Sequence, residues 1–309
     1  MQQGIPGEPP RAAADAEPVR RTSEIEEPTN LYVIHPLSAW IVPHCARLGI
    51  SPNAVSLAGM GCGVAAGFAY HWYQSTWCCV LGFVLMLTWH VLDGADGQLA
   101  RLTNAQSEFG KIIDGICDYV TFTAVYVGLA LTLSDYIGSW VWGLVAVSGL
   151  CHAVQSAAYE LQRQQYNFWG WGRKSAALPD MHSPKAERQG QPMLKRAANV
   201  LNGLYTRVQI VTTGGAAAFN RDLEAILAAR PEREAVLRQD YREVFAPSVR
   251  RWAILSANYR TIAIFLFAVA GMPMFYFLFE IFGFSAILAV LLAGQRRRYR
   301  LFLDLAGRS

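Results

Sequence analysis

Six apolar blocks, each about as long as a bilayer is thick, leave this chain few folds to adopt. They fall near 53–73, 77–99, 108–133, 137–160, 254–279 and 283–303. A helix needs about 20 apolar residues to cross the hydrocarbon core, and helices satisfy all their backbone polar groups there. Of 309 residues, 53% are hydrophobic and 16% are charged, against about 25% charged in a globular chain. That composition excludes a pair of soluble domains and excludes bulk disorder. A net charge of +4 is too small for a nucleic-acid-binding surface. The expected fold is all-α and polytopic, with six transmembrane helices.

Ahead of the first block, Leu37, Trp40, Ile41, His44, Cys45 and Leu48 recur at helical spacing behind Pro36. They predict an N-terminal amphipathic surface helix, with a kink or break at Pro43. Residues 1–30 lack the apolar core of a signal peptide and read as a disordered cytoplasmic tail. The loops expected on the far side, Gln74–Thr76, Asp135–Ser139 and Glu280–Phe284, contain no Lys or Arg, so all 27 fall on the other side. This asymmetry places both termini in the cytoplasm. Residues 31–161 then hold the surface helix and four spans, and 253–309 hold the last two. Between them, 162–252 reads as a helical cytoplasmic insertion. It opens on the interfacial aromatics Phe168, Trp169 and Trp171, continues through a polar linker (Ala176–Pro192), and carries helices near 193–212 and 219–244. The six cysteines lack metal or redox spacing and read as small buried hydrophobes.

Blocks two and three contain four carboxylates, Asp93, Asp96, Asp114 and Asp118. Each costs about 2.5–3.5 kcal/mol at the centre of a membrane helix, so all four must face water, a cation or one another. Asp93 and Asp96 are i,i+3 and share a face at the end of block two. Asp114 and Asp118 are i,i+4 and form a stripe at the start of block three. The loop Leu102–Ser107 brings these ends together, and four converging carboxylates cannot all ionise without cations between them. Hard oxygen ligands imply Mg²⁺, Mn²⁺ or Ca²⁺, and four can hold a metal pair. Gly97, Ala100 and Gly110 leave room for a ligand beside the acids, and Arg101 can fork onto phosphate oxygens. An acid cluster paired with Arg101 and Lys111 leaves two negative charges over and does not explain the glycines. An ion or proton pathway would place its acids near mid-membrane.

Asp93-Gly-Ala-Asp96-Gly97-Gln-Leu-Ala100-Arg101, followed by Gly110-Lys-Ile-Ile-Asp114-Gly-Ile-Cys-Asp118, resembles the signature of the CDP-alcohol phosphotransferases. Ser51-Pro52-Asn53 is similar to that family's TPN element. The resemblance implies that Asp93, Asp96 and Asp114 hold a pair of divalent ions (Mg²⁺ or Mn²⁺) against the donor's diphosphate. Asp118 would also touch the metals and act as base on the acceptor hydroxyl. Asn53, Gly97, Ala100, Arg101, Ser107 and Gly110 would line the CDP site. It further implies a homodimer and a multi-pass protein of a bacterial inner (cell) membrane with a cytoplasmic active site. The 162–252 insertion is longer than the family's small bacterial members carry. Gly59, Gly63 and Gly67 form a close-packing stripe that can serve the protomer or a dimer.

The expected chemistry is phosphatidyl transfer from CDP-diacylglycerol to a small hydroxyl acceptor, with release of CMP. Its alternative is transfer of a phospho-head group from a CDP-linked small alcohol to a lipid hydroxyl such as diacylglycerol or ceramide. A non-catalytic membrane scaffold is the remote reading, and the four acids argue against it. A phosphorylated acceptor needs further cations, so Arg163 and Arg260, with Asn258 beside the latter, are the candidate acceptor contacts. His152, Gln155 and Tyr159 form a polar line that either binds a polyol or pairs helices, and His90 reads as a packed neighbour of Asp93.

Overall fold

The computed structural model describes residues 22–173 and 215–308, and every regular element among them is helical. A π-helical turn, Asn30–Ile34, leads into α1 (His35–Arg47), followed by α2 (Pro52–His71), α3 (Thr76–Leu102), α4 (Glu108–Ile137) and α5 (Val141–Gln165). After the insertion's α6 (Ala216–Ala229) and α7 (Glu234–Trp252) come α8 (Ala257–Val269), α9 (Pro273–Leu278) and α10 (Ser285–Arg308). Five described segments are long and apolar enough to cross a membrane: Thr76–Leu102, Phe109–Ile137, Val141–Gly170, Pro231–Val269 and Pro273–Gly307. The first expected span corresponds to α2, whose 20 residues lie outside that set. Its glycines, Tyr70 and His71 dilute the hydropathy.

Several boundaries differ from expectation. The last turn lies at Ala270–Met272 and not at Glu280–Phe284, which is π-helical and joins α9 to α10 without a break. Gly271 adopts φ +70° and Pro273 opens the next helix, a Gly-Met-Pro stop-and-start signal that hydropathy alone passes over. The helix expected at 219–244 is split, because Pro231 ends α6 and begins a 3₁₀ turn, Pro231–Arg233. The linker 176–192 and the helix expected at 193–212 lie outside the described residues. The α1 helix runs through Pro43. Its buried stripe is Ile34, Ser38 and Val42, while Leu37, Trp40 and Leu48 from the expected apolar face are exposed.

Thr22–Asn30 shares the Glu- and Pro-rich character of the chain's start, yet it is packed. Ile25 and Glu27 are each 3% exposed. Its anchors are far away in sequence, so composition could not reveal them: the Arg250 Nε donates to the Glu24 carbonyl at 2.5 Å, and the Ser256 hydroxyl to Glu27 at 2.8 Å.

The membrane bundle is built around α2, which packs against both α3 and α4. Lipid tails remove most of the hydrophobic drive between helices, so close packing of small residues carries the association. A Cβ at Gly59 would sit 3.3 Å from Leu92 on α3. One at Gly63 would overlap the Thr121 side chain, and one at Gly67 the Ala124 carbonyl, both on α4. The stripe therefore packs inside the protomer. Around it, Tyr70, Met86, Trp89, Leu129, Tyr276 and Phe277 fill the core. At one end of the bundle Phe219, Tyr241 and Phe245 of the insertion close over Tyr299 and Phe302 of α10.

Replacing Gly67 with Val should therefore break the α2–α4 contact, at a cost of about 1–3 kcal/mol or more. The thermal midpoint of purified protein in detergent should fall by several degrees. Gly61→Val is the control, because a Cβ there meets open space and should leave the midpoint in place.

Candidate active site

Two N-caps and one tight turn organise the site. The Ser51 hydroxyl accepts from the Ala54 amide at 3.2 Å and starts α2 at Pro52. The Ser107 hydroxyl accepts from the Gly110 amide at 2.9 Å and starts α4. Each satisfies one backbone donor that the first helical turn leaves open. Between α3 and α4, the Ala105 amide donates to the Ala100 carbonyl at 2.9 Å, and Asn104 takes the left-handed φ of +52° that Asn tolerates. This turn reverses the chain so that the acidic ends of α3 and α4 meet, while α2 packs against both helices.

One carboxylate oxygen from each of Asp93, Asp114 and Asp118 lies within 4.8 Å of the other two, and all three residues are half-buried. Oxygens on opposite sides of one Mg²⁺ or Ca²⁺ stand about 4–5 Å apart, so the spacing suits a shared hard cation. These three could hold a metal ion. Asp96 is 6% exposed and stands apart from that trio, with its Oδ2 accepting a hydrogen bond from the Ser56 hydroxyl of α2. Ser56 was not singled out in the sequence. Its signal is its place one turn beyond Asn53, on the same face of α2.

The expected CDP contacts gather in two places. The Arg101 guanidinium lies over Gly97, with Nη1 3.4 Å from where a Cβ on that glycine would sit. A Cβ on Gly110 would stand 3.1 Å from Ser107 Oγ and 3.4 Å from Asn53 Oδ1, so these polar atoms converge over a bare backbone. Ala100 faces no such group in the described contacts; its carbonyl closes the α3–α4 turn.

The hairpin that carries these groups falls within residues 49–186, which match the family model described as CDP-alcohol phosphatidyltransferase. The chain is 34% identical over 89 residues to a CDP-diacylglycerol–serine O-phosphatidyltransferase of Helicobacter pylori (strain J99), covering 29% of this chain and 34% of that protein. It is 27% identical over 110 residues to cholinephosphotransferase 1 of Gallus gallus, covering 31% and 33%. It is 29% identical over 93 residues to a phosphatidylinositol phosphate synthase of Mycolicibacterium smegmatis, covering 30% and 40%. The chain thus spans a third to two-fifths of the length of these curated relatives. The named relatives are phosphotransferases, and the matched family is defined by that chemistry.

Two of the three residues expected to meet the acceptor, Arg260 and Asn258, are buried in the bundle. Arg260 is fully buried instead of standing at the surface. Its Nε donates to Glu280 Oε1 at 3.2 Å, its Nη2 to Gln155 Oε1 at 2.6 Å and its Nη1 to the Leu255 carbonyl. Glu280 is also fully buried and takes further bonds from Tyr276 at 2.9 Å and Tyr126 at 3.5 Å. Once the last turn moves to Gly271, Glu280 belongs inside the bundle, and a buried arginine becomes its required partner. Asn258 is buried as well and donates to Glu27 Oε2 at 2.9 Å. Burial raises the Glu27 carboxyl above its ordinary range, against the hydrogen bonds from Ser256 and Asn258 and the charge of Arg163. Arg163 pairs with Glu160 at 3.0 Å. Of the polar line on α5, His152 meets Tyr126 at 3.1 Å, Gln155 meets Arg260 and Ser285, and Tyr159 meets Glu27. His152 and Gln155 pair helices, and Tyr159 ties α5 to the segment before α1. His90 Nε2 lies 2.9 Å from the Thr261 hydroxyl of α8, which ties the turn before Asp93 to that helix.

Arg260→Ala should leave Glu280 as an unpartnered buried charge and cost about 3–5 kcal/mol of stability. The thermal midpoint should drop steeply whether or not an acceptor is present. The double variant Arg260→Met with Glu280→Leu should recover most of the loss, because it removes both charges. A selective rise in acceptor KM with an unchanged midpoint would return Arg260 to the substrate site.

A second expectation concerns the trio. Millimolar Mg²⁺ or Mn²⁺ should raise the thermal midpoint of purified wild-type protein, and excess EDTA should reverse the rise. Asp93→Asn and Asp114→Asn should each abolish most of this metal-dependent shift.

Proposed function

We propose that this chain is an integral-membrane enzyme of phospholipid synthesis that transfers a phosphatidyl group from CDP-diacylglycerol to a hydroxyl acceptor and releases CMP. The convergence of Asp93, Asp114 and Asp118 within the matched domain carries this reading. One relative supports the donor through its name, CDP-diacylglycerol–serine O-phosphatidyltransferase.

The division of labour is the one the resemblance implies. Asp93, Asp96, Asp114 and Asp118 would hold a pair of divalent ions, Mg²⁺ or Mn²⁺, with Ser56 hydrogen-bonded to the Asp96 carboxylate. Bound there, the ions supply positive charge against the donor's diphosphate and the departing CMP. Arg101 forks onto the same diphosphate across the bare Gly97, and Asn53, Ser107, Ala100 and Gly110 receive the cytidine side. Asp118 takes the proton from the acceptor hydroxyl as its oxygen bonds to the phosphorus bearing the alcohol. The bond from that phosphorus to CMP breaks, and CMP leaves with the electron pair. Asp118 sits one turn deeper in α4 than Asp114, where an acceptor below the diphosphate would meet it.

Depth along the helices supports this placement. At 1.5 Å per residue, Asp93 lies about 25 Å from Thr76 and Asp118 about 28 Å from Ile137, near the edge of a ~30 Å hydrocarbon core. The α2 helix is about 30 Å long on the same measure and serves as a sixth span. With α1 on the surface and its Trp40 and Leu37 in the interface, the active site and both termini face the cytoplasm of a bacterial inner membrane. The protein works as a homodimer, as the resemblance implies.

The reverse reading, head-group transfer to a lipid hydroxyl, is favoured by one observation. Arg260 and Arg163, the cations offered for a phosphorylated acceptor, are engaged by Glu280 and Glu160. The cholinephosphotransferase relative agrees with it. Purified protein given CDP-diacylglycerol with a panel of small alcohols, and separately CDP-choline with diacylglycerol, decides between them by CMP release. Turnover only in the second arm would replace the first reading, and turnover in neither arm would end both.

Asp118→Asn should bind metal and donor nearly as wild type does while losing about 10²–10⁴-fold in turnover. Calorimetry of donor binding beside CMP release checks this. Near wild-type turnover would remove Asp118 from the role of base, and donor loss as deep as in Asp93→Asn would make it a metal ligand alone.

A further inference from the structure

The outer end of the last helix carries Arg296, Arg297, Arg298 and Arg300 within five residues. Arg296, Arg297 and Arg300 are exposed. Arg298 is turned inward, where its Nη1 donates to Ser248 of α7 at 2.9 Å close to the charge of Arg251. Two helices far apart in sequence thus bring their cations to one region. On the α6 side, Arg296 and Arg300 line a cavity of about 330 Å³ together with Gly215, Phe219, Tyr299 and Asp222, whose carboxylate offsets one charge. Gly215 precedes the first turn of α6, so backbone N–H groups at that helix start add to the positive field.

Depth points to a lipid. Arg296 stands about 35 Å along the helix from Pro273, which is headgroup depth for a helix that enters the far leaflet at that proline. Cations at this level meet the anionic headgroups of a cytoplasmic leaflet.

We propose that the α6–α10 cavity and the arginines around it bind the headgroup of an anionic phospholipid of the cytoplasmic leaflet, with Arg296 and Arg300 on its phosphate. The site lies on the insertion and the helix end, apart from the carboxylate hairpin. The proposal rests on the membrane placement above and not on the proposed chemistry.

The test uses the purified full chain in a neutral detergent. Phosphatidylglycerol should raise the thermal midpoint by several degrees, while phosphatidylcholine at the same mole fraction should not. Arg296→Ala with Arg300→Ala should lose most of that rise while keeping the lipid-free midpoint, and Arg296→Lys with Arg300→Lys should keep most of it. Native mass spectrometry should show fewer phosphatidylglycerol molecules retained by the Ala pair, which separates lost binding from poor folding. Equal shifts from both lipids, or an undiminished shift and lipid count in the Ala pair, would overturn the proposal. A matching rise from inorganic phosphate alone would make this a free-anion site and overturn the lipid. Because CMP release is not the readout, an inactive preparation that still shows the lipid difference would sink the catalytic reading and leave this one standing.

Discussion

Charge inside an apolar slab has to be matched or moved to its edge, and this fold does both. The acids of α3 and α4 sit at helix ends, where the hairpin turn brings Asp93, Asp114 and Asp118 to within 4.8 Å. Lying at helix ends, they are kept from the middle of their apolar segments and together could hold a cation. Deeper in the bundle, Arg260 and Glu280 are both fully buried and satisfy each other, with Gln155, Tyr126 and Tyr276 taking the remaining bonds. The first arrangement leaves charge available for chemistry. The second uses charge up.

The α2 helix links these two regimes. Its glycines let α4 approach closely enough for backbone contact, and the same rigid helix carries Asn53 toward Gly110 and Ser56 to Asp96. Residues at one end meet the site because residues further along the helix have no side chains to hold α4 away. Stability and positioning therefore depend on the same helix, so a substitution in the stripe would disturb Asn53 and Ser56 without touching them.

The sequence exposed the hairpin and its acids because their spacing is local. An i,i+3 pair, an i,i+4 pair and a five-residue turn fix which side chains can meet, whatever the rest of the chain does. The glycine stripe was legible for the same reason, though its partner was not. What sequence reading misjudged depended on distant partners. Arg260 looked like a surface cation because Glu280 had been assigned to a loop, and that error began when Gly271-Met-Pro273 was passed over as a turn. Residues around Glu27 looked like a tail because the groups that hold that carboxylate, Ser256, Asn258 and Tyr159, lie more than a hundred positions away. Hydropathy ranks segments, but it does not say which polar residue inside one will find a mate.

The Arg260–Glu280 pair also bears on how the chain enters a bilayer. The two residues lie on opposite arms of the α8–α9 hairpin, on either side of its turn at Ala270–Met272. Either arm delivered alone would carry a bare charge into the lipid, at about 2.5–3.5 kcal/mol on the insertion scale. Delivered together they form an electrically neutral unit. The hairpin is thus best handed to the membrane as one object during biosynthesis, after α5 is in place to offer Gln155. A delay between its two arms would leave an intermediate that slips back out or is destroyed.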